Sequence, residues 1–296
     1  MAYGSGAYTY ELAGDWGKLP EGYEFSQVAG VAVDSEDRVY LFNRSAHQLM
    51  IFDREGNFIQ SWDEKFSNPH AIHIAPDGNI FLVDRDAHII LKYSPDGKLL
   101  LTIGARNQAS DTGYTAKNRQ VLRAAGPFNL PAGIAVTEDG DIFVADGYGN
   151  CRVHRYSSTG ALVSSWGSPG KVNPGDFHLP HGIAVDGDGR VLVCDRENHR
   201  IQIFDQEGEY LGMWTGFKQP TDVKVGPRGE VYVPELSHRM SIIDGSNGDV
   251  LARWGDDSSH DPGQFVAPHG VAVDSHGDFY VGEVLQGQRV QKFIRQ

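Results

Sequence analysis

Cysteine is nearly absent: Cys151 and Cys194 are the two in 296 residues. Two thiols make no disulfide framework, and they are not spaced as the CxxC pair that binds metal or shuttles electrons. Both are read as reduced packing residues. Long hydrophobic runs are absent too, so no segment approaches the ~20 apolar residues of a membrane-spanning helix. The opening MAYGSGAYTYELAG lacks the basic and apolar regions of a secretion signal. These absences lead to the expectation of a globular chain in the cytoplasm. Positive charge is in deficit as well, 26 Lys and Arg against 39 Asp and Glu for a formal charge of -13. With no basic stripe to offset that charge, nucleic acid and anionic membrane surfaces are excluded as partners by repulsion.

What the sequence has instead is repetition. Gly (36) and Pro (14) are plentiful, while apolar periodicity of helical length is rare, which favours short strands joined by many turns. One phrase occurs six times: AGVAVDSEDRVYLFNR, PHAIHIAPDGNIFLVDR, PAGIAVTEDGDIFVADG, PHGIAVDGDGRVLVCDR, PTDVKVGPRGEVYVPE and PHGVAVDSHGDFYVGE. The aligned second positions are Ala29, His70, Ala132, His181, Thr221 and His269, at intervals of 41, 62, 49, 40 and 48 residues. That spacing is the period of a propeller blade. Each copy reads as antiparallel strands around an Asp/Gly turn, usually followed by a fourth strand such as ALVSSWG. The expected fold is therefore all-β, a six-bladed β-propeller in one domain over residues 1–296. The last copy stops after its third strand, and YTYELAGDWG near the N-terminus resembles an orphan fourth strand ending in Trp-Gly. Residues 1–20 are thus expected to close the last blade, which removes an exposed sheet edge.

Histidine occupies the aligned position in the second, fourth and sixth copies only. The first strand of a propeller blade lines the channel, so strict alternation predicts three imidazoles converging on the axis. Three neutral histidine nitrogens leave a fourth tetrahedral position open, the pattern of a catalytic zinc site; iron, manganese or cobalt accept the same donors. His70, His181 and His269 are the predicted metal ligands. A second set, His47, His88, His199 and His238, recurs without alternation in the turns after the second strands. It is assigned to the turn itself, where His tolerates unusual backbone angles.

The second strand runs back to the mouth where the first begins. Its aligned ends are read as Arg44, Arg85, Gly147 with Tyr148, Arg196, Glu235 and Glu283. Arginine grips a carboxylate with a planar fork, so Arg44, Arg85 and Arg196 form a candidate anion-binding mouth, unless they pair with Glu235 or Glu283. Tyr148 is a candidate general base, provided the metal and arginines lower a phenolic pKa of about 10. The longest connection, within residues 103–130, carries Arg106, Tyr114, Lys117, Arg119 and Arg123. Its length makes it a candidate lid or substrate clamp.

The six phrases resemble NHL repeats. PHGIAVDGDGRVLVCDRENHRIQIF and VADGYGNCRVHRY are similar to the signatures of peptidyl-α-hydroxyglycine α-amidating lyases, zinc propellers, and the likeness spans essentially the whole chain. The resemblance implies zinc on His70, His181 and His269, a catalytic Tyr148, and site arginines Arg44 and Arg196. It implies cleavage of a small anionic carbinolamide, R-CO-NH-CH(OH)-COO⁻, to an amide and glyoxylate. Ala267 and Gly270 stand where the family has Met and Asp, and the family's disulfide cysteines are not matched, so the resemblance does not carry its structural calcium site. The expected cytoplasmic location points to a substrate smaller than a secreted peptide, such as ureidoglycolate. Two other readings remain at this level: a metal-dependent hydrolase or lactonase, whose metal generates hydroxide, and a non-catalytic NHL scaffold.

Overall fold

The computed structural model describes residues 2–296, which form six antiparallel sheets, the blades of a six-bladed β-propeller. Two compact units are distinguished, one of residues up to 72 together with 221–296, the other of residues 73–220.

In the first unit, blade one is built from Val28–Val33, Val39–Asn43, Leu49–Phe52 and Phe58–Trp62. The first three strands are almost wholly buried and the fourth is only partly buried. Blade five comprises Lys224–Val225, Glu230–Glu235, Arg239–Asp244 and Val250–Gly255, and blade six begins with Pro268–Val273, Phe279–Glu283 and Val290–Arg295. Facing sheets share their cores: Tyr232, Met240 and Ile242 of blade five pack with Val271, Phe279 and Phe293 of blade six. Ala272 and Tyr280 of blade six pack in turn with Val31, Leu41 and Phe52 of blade one.

The N-terminus completes blade six as expected: Tyr8–Leu12 pairs antiparallel with Val290–Arg295. Tyr10 is fully buried there, its hydroxyl 2.9 Å from that of Tyr232 and its ring edge-on to Phe279. Two details differ from the sequence reading. Ala2–Ser5 folds back on Tyr8–Leu12 as a fifth strand. Trp16 lies beyond the closing strand, against Phe52 and Tyr280, with Nε1 donating to the Arg54 carbonyl. It is not the strand-end Trp of ALVSSWG.

The second unit holds Ile80–Asp84, Ile89–Tyr93 and Leu99–Ile103 of blade two. Blade three is Pro131–Val136, Ile142–Asp146, Arg152–Tyr156 and Leu162–Trp166, and blade four is Pro180–Val185, Val191–Asp195, Arg200–Phe204 and Tyr210–Trp214. Phe143 and Val153 of blade three pack on Ile183, Val193 and Phe204 of blade four. The turns follow from the Asp/Gly motif. In blade four the Asp186 carboxylate accepts from the backbone N–H groups of Asp188 and Arg190, an Asx turn. No helix among the described residues is long and apolar enough to cross a membrane.

The second strands correct one alignment. They end at Asn43, Asp84, Asp146, Asp195, Glu235 and Glu283, so the two glutamates share a register with the aspartates and not with Arg44, Arg85 and Arg196. All six are fully buried. Glu283 accepts from the Val266 N–H at 2.7 Å and from Arg289 Nε at 2.6 Å, much as Asp195 accepts from the His178 N–H at 2.7 Å and Arg200 Nε at 2.8 Å. Glu235 pairs with Arg239. Asp195 and Glu283 thus tie the incoming loop of their own blade to the start of its third strand.

The turn histidines behave as assigned in three of four cases. His88, His199 and His238 adopt left-handed φ of 58°, 57° and 67°. His88 Nδ1 accepts from the Leu130 N–H, His199 Nδ1 from the Gln219 N–H, and His238 Nδ1 contacts the Val266 carbonyl, each on the chain entering the next blade. His47 instead stacks on Tyr23 at 3.6 Å.

Candidate active site

Tyr148 owes its position to the glycines on either side. A Cβ on Gly147 would lie 1.8 Å from the Pro180 carbonyl oxygen, and one on Gly149 would lie 2.1 Å from Asn129 Oδ1. Neither residue can carry a side chain at such approach, and the turn between them is pressed against the start of blade four on one side and the chain entering blade three on the other. Tyr148 is delivered beside His181: its hydroxyl is 3.0 Å from His181 Nε2 and the rings meet edge to face at 5.4 Å.

Two guanidiniums attend the same phenol. Arg196 Nη1 donates to the Tyr148 hydroxyl at 3.2 Å, and the Arg196 and Arg85 groups lie 5.3 and 4.8 Å from its ring centre. Arg196 is held from the other side by Glu197 at 2.9 Å. Burial pushes the Glu197 carboxyl up, but Arg196 and the Gln219 amide together hold it below its ordinary value. Burial depresses Arg85, and its contacts with Asp86 and Tyr148 more than offset that. Arg85 thus stays cationic beside a polar, half-buried tyrosine.

In the first unit, His70 and His269 are buried, with ring centres 5.0 Å apart. His269 Nδ1 is 2.7 Å from the Ala29 carbonyl oxygen. A carbonyl can only accept, so Nδ1 carries the proton and Nε2 is left with its lone pair, the tautomer a metal ligand needs. Arg44 Nε donates to the Pro69 carbonyl at 2.9 Å, next to His70, and its Nη1 to Gln27 Oε1 at 3.0 Å. Thr221, at the aligned position of blade five, donates to the Pro234 and Pro268 carbonyls. His70, His181 and His269 are a group that could hold a metal ion, each offering one ring nitrogen. Neutral imidazoles without a thiolate suit zinc and its first-row neighbours.

Beyond Ile103, which ends the strand Leu99–Ile103, the 103–130 segment has no strand or helix, yet it is tied down. Buried Thr112 donates to the Gly149 carbonyl at 2.6 Å and accepts from Asn129 Nδ2 at 3.1 Å. Of its five singled-out residues, Arg106 faces Asp84 at 3.7 Å and Arg123 pairs with Asp111. Arg119 alone of the five lines a cavity of about 430 Å³ whose wall includes Gly147 and Tyr148. Sequence reasoning missed the opposite wall, a two-residue parallel ribbon of Ser168–Pro169 and Asp176–Phe177, too short to leave a periodic signal.

The NHL repeat family model matches residues 128–156 and 177–204. The chain is 30% identical to human NHL repeat-containing protein 3 over 96% of its own length and 84% of that protein. It is also 30% identical to peptidyl-alpha-hydroxyglycine alpha-amidating lyase 1 of Drosophila melanogaster, over 85% of this chain and 49% of that one, so it spans about half the length of that relative. In fold it is similar to a streptogramin B lyase, with a TM-score of 0.62 at 15% identity, covering 99% of this chain and 90% of that one. A gluconolactonase of Xanthomonas campestris gives 0.67 at 13% identity, over 93% and 88%. The chain belongs to the NHL repeat-containing protein family, and its relatives include proteins named as amidating lyases.

Proposed function

We propose that the chain is a metal-dependent carbon–nitrogen lyase that cleaves a carbinolamide, R-CO-NH-CH(OH)-COO⁻, to an amide and glyoxylate. The observation that carries this reading is the Tyr148 hydroxyl, 3.0 Å from His181 Nε2 and 3.2 Å from the Arg196 guanidinium. A phenol in that position serves proton transfer, and a metal ligand's neighbour is where the reacting hydroxyl belongs. Relatives named as amidating lyases support the same reading.

His70, His181 and His269 would hold the metal, zinc by the chemistry of the donors, and it would supply Lewis acidity that makes a bound hydroxyl easier to deprotonate. Arg44 and Arg196 hold and orient the substrate carboxylate, and Arg85, which flanks the Tyr148 ring with Arg196, adds positive charge. Tyr148 accepts the proton from the carbinol oxygen. As that oxygen becomes the aldehyde of glyoxylate, the C–N bond breaks and its electron pair leaves on the amide nitrogen. The nitrogen recovers a proton from Tyr148, so atoms and charge balance and no water is consumed.

Purified protein is analysed for metal and then incubated with α-hydroxyglycine derivatives and with ureidoglycolate. The expected result is stoichiometric zinc and release of glyoxylate. Metal without glyoxylate from any of them sinks the lyase reading in favour of a metal-dependent hydrolase.

A further inference from the structure

The cavity beside Tyr148 is larger than the carbinolamide core needs. It is about 430 Å³, within the range of pockets built for whole small ligands, whereas the amino group of ureidoglycolate would fill a small corner of it. Val121, Leu122, Pro169 and Leu179 supply apolar surface to it beside polar groups such as Gln120 and His178. Its charged lining is of one sign: Arg119 and Lys171 face it, and no Asp or Glu does. That is a strong local bias in a chain with 39 acidic residues against 26 basic. Both cations are exposed, and neither has an ion-pair partner among the described residues. Tyr148 forms part of the wall, which sets this space beside the residue the lyase reading places at the reacting carbon.

We propose that this cavity receives the acyl part of the substrate and selects an apolar chain that ends in a negatively charged group. The proposal rests on the lyase reading, which fixes the carboxylate and the reacting carbon on the Tyr148 side. The acyl chain then lies over Val121 and Leu122, and its terminal anion meets Arg119 and Lys171. Arginine offers it a two-pronged contact and lysine a point charge. The preferred substrate is dianionic, and ureidoglycolate is a poor one.

The test is equilibrium binding by calorimetry of two unreactive conjugates lacking the carbinol hydroxyl, N-glutarylglycine and N-pentanoylglycine. They share the amide, the carboxylate and the five-carbon acyl chain, and differ in the terminal carboxylate. The expected result is about tenfold tighter binding of N-glutarylglycine at low salt, shrinking as ionic strength rises. Arg119→Gln and Lys171→Gln, both at exposed loop positions, should each reduce the preference. Equal binding of the two conjugates, or a preference that survives both substitutions together, overturns the proposal even if glyoxylate is still released. Preferential binding of N-glutarylglycine without glyoxylate from its α-hydroxy form overturns the lyase reading and leaves the anion-selective cavity standing.

Discussion

The hydroxyl of Tyr148 lies 3.0 Å from Nε2 of His181, which places a phenol against a candidate metal ligand within one pair of neighbouring blades. Replacing Tyr148 by Phe keeps the ring that Arg85 and Arg196 flank and removes the oxygen alone. The expected outcome is full metal content, an unchanged melting temperature and a kcat lower by about a hundredfold or more. Single-turnover glyoxylate release measures it, and a rate close to that of the parent protein would remove Tyr148 from the chemistry.

His181→Ala should behave in the opposite sense. The side chain is buried, but its site is lined by polar groups, and its partner Tyr148 also has Arg196. The variant is expected to fold, to lose bound metal on dialysis and to lose activity. Metal retained at the parent's stoichiometry, measured by plasma emission, would show that the ion sits elsewhere.

The inner strands were legible in the sequence because their burial is periodic: each repeat carries the same apolar run before its Asp/Gly turn, and the alternate histidines stand out from that background. The register of Glu235 and Glu283 was not, because a longer acid can replace Asp and still reach the same backbone N–H. Glu283 meets Val266 as Asp195 meets His178. The tether of the long segment was equally hidden. Thr112 is one hydroxyl in a stretch of turn residues, and only its burial against Gly149 shows what it does.

That reassignment has its own consequence. Glu283→Gln leaves Arg289 beside a neutral amide and weakens the contact to Val266. The carboxylate is fully buried and its arginine partly so, and a loss of about 2 kcal/mol in urea unfolding is expected. Because the residue braces the blade and does not touch substrate, kcat per folded molecule should stay near that of the parent. A normal stability with a collapsed kcat would return Glu283 to the active site.

The turn histidines give a pH dependence. Burial pushes the His88 imidazole below its ordinary value, against the pull of nearby carboxylates, and its Nδ1 accepts the Leu130 N–H only when neutral. With the folded pKa depressed, the folded state binds fewer protons than the unfolded chain. The contribution is therefore complete above the ordinary value of 6.5 and is lost as pH falls toward the lowered one. His88→Asn keeps a residue that tolerates the left-handed turn and can still accept that hydrogen bond. Urea midpoints from pH 7.5 to 5 should slope less steeply in the variant, and parallel slopes would discount His88.

The closing strand tests whether the last blade depends on the N-terminus. Removing the first 12 residues strips Tyr10 from its place against Phe279 and Tyr232 and exposes the hydrogen-bonding edge of Val290–Arg295. Loss of one fully buried aromatic alone is worth about 3 kcal/mol or more, and an open edge recruits other chains. The truncated protein is expected to melt well below the parent and to aggregate in light scattering. Blades one and five flank the damaged sheet and share its aromatic core, so the loss should spread to them as one cooperative transition. An unchanged melting curve would mean that Val290–Arg295 is a stable edge by itself.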